Sequence, residues 1–181
     1  TGNLISKYNV FTGVNTLVSN MDRATLDIAW GADGQMYAAN NSGAGSTLYT
    51  VNTSTGVTTP VVTSPYFPRT VGLGSDEFGW IYAVSRSHGT PMKYYRYNVY
   101  TGAIELWIDI DAAPYNMGAI LGAPNPTGDI IFRNGFAYVS HQTSGSFTAP
   151  FVVKIGPFGV GNNIIPATTV TTVGFTSNYN G

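Results

Sequence analysis

The sequence lacks cysteine and has little charge, and both features narrow the classes of protein to consider. The 181 residues contain no cysteine, which excludes disulfides, thiolate catalysis and thiolate-bound zinc. Charged residues make up 9% of the chain, against about 25% in an average soluble domain. Eight basic residues stand against nine acidic ones, so no basic surface for nucleic acid is expected. No apolar run approaches the roughly 20 residues of a membrane-spanning helix.

Apolar and aromatic residues, in contrast, are plentiful. They make up 43% and 13% of the chain respectively, which argues against disorder and, at this length, predicts a single domain over residues 1–181. The chain begins at Thr1 rather than Met, so we expect a processed product or a piece of a longer protein. Few lysines and many Thr, Asn, Gly and Tyr residues lead us to expect an extracellular or cell-surface location, virion surfaces included.

A short motif recurs along the chain and is typical of a β-hairpin. Each copy is a β-prone run that ends in a polar turn closed by glycine, and a second β-prone run follows. Clear copies are KYNVFTG (7–13), YTVNTSTG (49–56) and RYNVYTG (96–102), and a degenerate copy is VKIGPFG (153–159). The spacing between clear copies is therefore about 45 residues.

A second motif alternates with the first. It reads DGQMYA (33–38), FGWIYA (78–83) and NGFAYV (134–139). Asp-Gly and Asn-Gly pairs are strong hairpin signals, since a type I′ turn needs positive φ at both central residues. The two motifs together predict a four-stranded unit, whose strands we call A to D, with one tight turn between A and B and another between C and D.

Four-stranded units at this period predict an all-β, β-propeller-like fold. A parallel β-helix is the alternative, but its rungs do not return as two antiparallel hairpins per unit. We expect blades at about 25–63, 70–110 and 116–170, with a fourth blade shared between 171–181 and 3–20. The sequence thus predicts about four repeats, the last one divided between the two ends of the chain.

Strand B of that divided blade is missing from the sequence pattern, and three explanations stay open. The protein could be longer than this sequence, the fourth blade could have three strands, or a partner chain could insert the absent strand. In each case something should cover the exposed edge, because unpaired N–H and C=O groups are costly when buried.

The first repeat resembles a family of known repeats. Its segment LDIAWGADGQMYAAN…STLYTVNTSTGVTTPVV (26–62) is similar to secreted propeller repeats of the YVTN and NHL kind. The resemblance is at the level of single blades and implies a propeller. It brings no catalytic residues with it, since such repeats serve many functions.

Antiparallel alternation predicts a short-turn end, which holds the A–B and C–D turns, and a long-loop end, which holds the B–C and D–A loops. Binding usually resides in long loops on a rigid scaffold. The candidate binding residues, a mixed aromatic and polar set for glycan or protein, are Tyr66, Phe67, Arg86, His88, Tyr115 and His141. The alternatives are that Tyr66 and Phe67 fill the gap between blades, and that both histidines are simply exposed loop residues.

Two further features have structural explanations beside the functional ones. Asp27, on strand A, could line an axial channel and bind water or a cation, or it could accept hydrogen bonds from backbone amides. The tyrosines Tyr37, Tyr82 and Tyr138 recur once per blade on strand B. Such a regular position indicates packing between blades, with the hydroxyl reaching a polar partner.

No catalytic constellation, metal site or cofactor motif is recognisable, so we expect no enzyme activity and neither a metal nor a cofactor. The favoured hypothesis is an extracellular structural or adhesive scaffold, a building block of a surface layer, filament or virion. It would bind copies of itself or other surface proteins through the long-loop end, since low charge removes repulsion between copies. A lectin-like propeller that binds glycans is the first alternative, and a propeller lyase or hydrolase with His88 or His141 as the base is the second.

Overall fold

β-Strands form almost all of the regular structure in the computed structural model, which describes residues 3–41, 45–63, 70–85, 92–117, 125–142 and 150–174. A short 3₁₀ turn lies at Val160–Asn162. The strands within these ranges are β1 (Leu4–Tyr8), β2 (Asn15–Asn20), β3 (Asp27–Trp30), β4 (Met36–Asn41), β5 (Ser46–Val51), β6 (Thr58–Thr63), β7 (Thr70–Ser75), β8 (Trp80–Ser85), β9 (Lys93–Asn98), β10 (Ile104–Asp109), β11 (Asn125–Arg133), β12 (Phe136–Gln142), β13 (Pro150–Gly156) and β14 (Thr169–Gly174).

The strands form three four-stranded antiparallel sheets and one two-stranded sheet. We call β3–β6 the first repeat, β7–β10 the second, β11–β14 the third, and β1–β2 the N-terminal hairpin. Neighbours in each sheet follow chain order, as the A-to-D pattern predicts. The all-β, propeller-like prediction is confirmed.

The third repeat reaches further along the chain than its expected end at residue 170. Strand β14 pairs with β13 as far as Gly174 opposite Phe151, because the Val-Thr-Thr-Val run of β14 continues the outer strand of that sheet. The division of a fourth blade between 171–181 and 3–20 stays a prediction, since residues 175–181 lie outside the described ranges.

The C–D turns explain why the first sequence motif recurs. Asn9, Asn52 and Asn98 each begin one of these turns, and each side-chain oxygen accepts two backbone N–H groups within the turn. The carbonyl of the same asparagine accepts the N–H of the closing glycine, at 2.8 Å, 2.7 Å and 2.9 Å in chain order. These glycines have positive φ values of 70°, 77° and 72°. The hairpin prediction is therefore confirmed at all three copies.

The A–B turns differ from the predicted type I′ geometry at two of three sites. Asn134 and Gly135 both have positive φ, at 52° and 74°, as that turn requires. At the other two turns only the glycine has positive φ, in longer loops over 31–35 and 76–79. There the Oδ1 of Asp33 or Asp76 accepts backbone N–H groups of its own loop and stabilises it instead.

The sheets pack face to face, with their inner A strands side by side. Between the first and second repeats the core includes Tyr37, Leu48, Leu73 and Ile81. The core between the second and third repeats is larger and is rich in aromatic side chains, Tyr82, Tyr94 and Trp107 among them. A Cβ atom added at Gly74 on β7 would lie 2.3 Å from the carbonyl oxygen of Ile130 on β11. The close approach of these two inner strands therefore depends on glycine.

Candidate functional site

Most of the predicted binding residues cannot be placed. Tyr66, Phe67, Arg86 and His88 lie outside the described residues. Tyr115 is half-buried and packs against the core between the second and third repeats, and this burial raises the pKa of its hydroxyl. A role for the long-loop end in binding stays a prediction.

His141 is not an exposed loop residue, so that expectation is wrong. It lies on β12 and is fully buried. Its Nε2 is 2.5 Å from the Tyr94 hydroxyl oxygen, and its ring stacks on Phe151 with centroids 5.5 Å apart. The physical reason is strand alternation: His141 shares a face of β12 with Ala137 and Val139, both in the core. Extending that alternation by two residues would have identified the position as buried.

Burial also sets the protonation state of His141. Desolvation lowers its pKa to about 3, so the ring is neutral at physiological pH. Its Nδ1 is buried and has no hydrogen-bond partner among the described residues. A neutral ring without solvent access is a core side chain in this structure, and as such it does not present a general base to a ligand in solution.

Asp27 uses its carboxylate to join neighbouring strands. Its Oδ2 accepts a hydrogen bond from the Leu73 N–H at 2.7 Å, and its Oδ1 accepts one from the Ile28 N–H at 2.8 Å. The interpretation that backbone amides hold this carboxylate is confirmed. Burial, and next the neighbouring Asp129 carboxyl group, raise the pKa of Asp27 to about 6. Asp27 and Asp129 hold equivalent places on the inner strands of the first and third repeats.

The recurring tyrosines pair with aspartates that the sequence reasoning did not connect with them. The Tyr37 hydroxyl donates to Asp33 Oδ2 at 2.8 Å, and the Tyr82 hydroxyl donates to Asp76 Oδ2 at 2.7 Å. Both tyrosines are buried, so the packing interpretation is confirmed for them. An aspartate in the A–B turn, four residues before Tyr37 and six before Tyr82, is the signal that could have revealed the pairs.

A polar cluster at the short-turn end fixes the long C–D loop of the third repeat, residues 157–168. Asn162 Nδ2 donates to Asp76 Oδ2 at 2.9 Å, and Trp107 Nε1 donates to the Asn162 carbonyl at 2.9 Å. Sequence reasoning missed this cluster, because Asp76 and Asn162 are 86 residues apart.

Arg96 is the central cation of the same cluster. Its side chain forms an ion pair with Glu105 and donates to the Gly161 carbonyl and to Asn163 Oδ1. Its guanidinium lies 4.1 Å from the centre of the Trp80 ring, and the residue is only 6% exposed. These contacts occupy the guanidinium, so the arrangement is suited to joining the second and third repeats rather than to binding a ligand.

An open apolar groove lies between the N-terminal hairpin and the first repeat. We call it the edge groove and define it by its lining residues Leu4, Ile5, Ser6, Lys7, Val18, Met21, Thr25, Leu26, Asp27, Ile28, Trp30, Met36 and Thr53. Its volume is about 780 Å³. Five of its large apolar side chains are exposed, with Trp30 at 56%. Large exposed apolar patches of this kind mark interaction sites in soluble proteins.

Comparison with known proteins supports the fold. No family model and no curated protein matches the sequence. The structure is similar to TolB from Acinetobacter baumannii (TM-score 0.53, 14% identity), over 94% of this chain and 37% of that one. It is also similar to a quinoprotein alcohol dehydrogenase-like protein from Bacteroides thetaiotaomicron (TM-score 0.53, 14% identity), over 96% of this chain and 42% of that one.

Both neighbours have propeller folds, and this chain spans less than half the length of either. The comparisons and the sheet order together define a propeller-fold protein. The described ranges hold no helix that is long and apolar enough to cross a membrane.

Proposed function

We propose that this protein is a non-enzymatic scaffold, a structural or adhesive building block that acts outside the cell or at a cell or virion surface. It associates with copies of itself or with other surface proteins. The edge groove is the surface through which it does so, in place of the long-loop end that the sequence favoured.

The observation that carries this proposal is the exposure of the edge groove. Leu26, Ile28 and Trp30, on and beside β3, are 54%, 45% and 56% exposed respectively. Few charged groups surround them, since Lys7 and Asp27 alone among the lining residues carry charge. Contact with another protein would remove this apolar surface from water, which is the main favourable contribution to protein association.

The low charge of the chain supports the same proposal. With a formal net charge of −1, copies of the protein repel one another little at neutral pH. The extracellular location rests on composition: a chain poor in lysine and rich in Thr, Asn, Gly and Tyr. The lectin hypothesis, and the lyase or hydrolase hypothesis with His88 as the base, depend mainly on long-loop residues outside the described ranges; His141, the other candidate base, is buried.

Sedimentation velocity over a range of concentrations tests the proposal. We expect the wild-type protein to form oligomers as its concentration rises, and electron microscopy of native material to show ordered assemblies. Ile28→Asp should shift the equilibrium to monomer, because it places a charge in the apolar contact.

Val160→Asp is the matched control, since Val160 is 87% exposed and outside the edge groove; it should assemble like the wild type. A wild-type protein that stays monomeric in solution and in native material, and that retains no surface protein, would contradict the scaffold proposal.

A further inference from the structure

Asp27 joins the inner strands of all three repeats. It begins β3, and its Oδ2 accepts the N–H of Leu73 on β7 at 2.7 Å. A further hydrogen bond joins its carboxyl group to that of Asp129 on β11. One side chain of the first repeat therefore contacts the inner strands of the second and the third.

A hydrogen bond between two carboxyl groups requires a proton on one of them. An ionised carboxylate has no donor and can only accept, so Asp27 and Asp129 cannot bond to each other when both are ionised. Two ionised carboxylates at this separation repel each other instead, which favours binding of a proton. That proton belongs to the pair rather than to either residue.

The strands packed around this pair carry no other group that titrates near pH 6. Strand β7 has no titratable side chain. The titratable or charged side chains on β1, β4, β8, β11 and β12 are, besides Asp129, Lys7, Tyr8, Tyr37, Tyr82, Arg133, Tyr138 and His141. Lysine, tyrosine and arginine ordinarily titrate far above pH 6, and burial lowers the pKa of His141 to about 3. Burial, and next the Asp129 carboxyl group, raise the pKa of Asp27 to about 6.

The carboxyl pair also borders the surface assigned to assembly. Asp27 lines the edge groove directly beside Ile28, whose side chain is 45% exposed. A protein that covers Ile28 also removes Asp27 from water, and desolvation disfavours the ionised form of a carboxyl group. Covering the groove therefore costs less free energy when the pair holds its proton than when both carboxylates are ionised.

Building on the proposed scaffold function, we propose that Asp27 and Asp129 share one proton and that this proton regulates assembly through the edge groove. Copies associate more tightly when the pair holds the proton and separate more readily when it is lost. The sign follows from linkage: contact raises the affinity of the pair for its proton, so association is strongest below pH 6 and weakens as pH rises above it. One proton per covered groove changes the association constant by at most about tenfold per pH unit.

Carbon-13 NMR of the aspartate carboxyl groups tests the shared proton in the full chain, at a concentration where it is monomeric. The Asp27 signal should titrate with a midpoint near pH 6, and the Leu73 amide proton should follow it through their hydrogen bond. Asp129→Asn should move the Asp27 midpoint to lower pH, because an amide at 129 can donate to the Asp27 carboxylate and carries no charge. Glu77→Gln changes an exposed acid outside the edge groove and should leave the midpoint unchanged.

Sedimentation velocity at pH 5.5 and pH 7.5 tests the regulation. The wild-type association constant should be roughly tenfold lower at pH 7.5, as expected for loss of one proton. Asp27→Asn is neutral at both pH values and should associate equally tightly at both. Asp129→Asn serves as a second variant if Asp27→Asn does not fold, and its association should begin to weaken at a lower pH than that of the wild type. Glu77→Gln should keep the wild-type pH dependence.

The shared proton is overturned if Asp27 titrates at the ordinary pH of an aspartate, or if Asp129→Asn leaves its midpoint unaltered. Association of the wild type with the same strength at both pH values would leave the scaffold function standing and remove this inference. So would an equal pH dependence in the wild type and Asp27→Asn. A chain whose carboxyl pair titrates as expected but which stays monomeric at both pH values would instead contradict the scaffold function, and the regulatory step with it.

Discussion

His141 and Asp27 show how burial acts on single titratable side chains in this protein. Burial favours the neutral form of each, so it lowers the pKa of the histidine to about 3 and raises that of the aspartate to about 6. Their effects on stability have opposite signs. The stability that neutral Asp27 contributes is fully present below pH 3.8 and is lost as pH rises through 6. The stability that neutral His141 contributes is fully present above pH 6.5 and is lost as pH falls through 3.

We predict that acid destabilises the protein through His141. Its ordinary pKa is 6.5 and its folded pKa about 3, so the contribution of His141 to folding stability should fall as pH drops from 6.5 toward 3, and the neutralisation of Asp27 between pH 6 and 3.8 offsets part of that loss. The His141 contribution to the free energy of unfolding should fall by about 1.4 kcal/mol per pH unit. That amounts to about 2 kcal/mol between pH 6.5 and pH 5.

Urea unfolding at pH 7 and pH 5 measures this effect. His141→Gln is the comparison, because glutamine can bond to Tyr94 without titrating in this range; it should lose less stability on acidification than the wild type. Equal pH dependence in both proteins would show that His141 is not buried as a neutral ring.

At the scale of strands and turns, two kinds of contact stabilise the structure: hydrogen bonds within a turn, and packing between neighbouring sheets. The Asn-to-Gly turns are stabilised within a few residues, and they recur at all three clear copies of the motif. Packing between the inner strands of consecutive repeats depends instead on residues far apart in the chain, such as Gly74 and Ile130. The second kind of contact fixes how closely consecutive repeats approach.

Gly74→Ala should therefore destabilise the protein. The added methyl would lie 2.3 Å from the Ile130 carbonyl oxygen, so β7 and β11 must separate, at a cost of roughly 1–3 kcal/mol for an overpacked site. Thermal or urea unfolding measures the change. Ser75→Ala on the same strand is the control and should have a smaller effect; similar losses in the two variants would argue against the close approach.

Across the whole molecule, the buried apolar cores become larger from the N-terminal hairpin toward the third repeat. The hairpin contributes one buried apolar residue, Ile5, to a small core with Met36, Ala38 and Val51. The core between the second and third repeats is the largest and is reinforced by Arg96 and Trp107. Segments with few buried contacts open most readily.

Hydrogen–deuterium exchange should reproduce that gradient. Amides of β1 and β2 should exchange faster than those of β8, β9, β12 and β13, since fewer buried side chains hold the hairpin in place. Uniform protection across all the sheets would contradict this prediction.

The sequence by itself determined the repeat, its hairpins and the Asn-to-Gly turns, because each of these turns depends on residues within about five positions and strand alternation has a period of two. Only the tertiary structure decided that His141 contacts Tyr94, that Asp76 contacts Asn162 and that Ile28 faces an open groove. Those outcomes depend on which sheet packs against which. Such contacts join residues that are distant in the chain, and no local pattern records them.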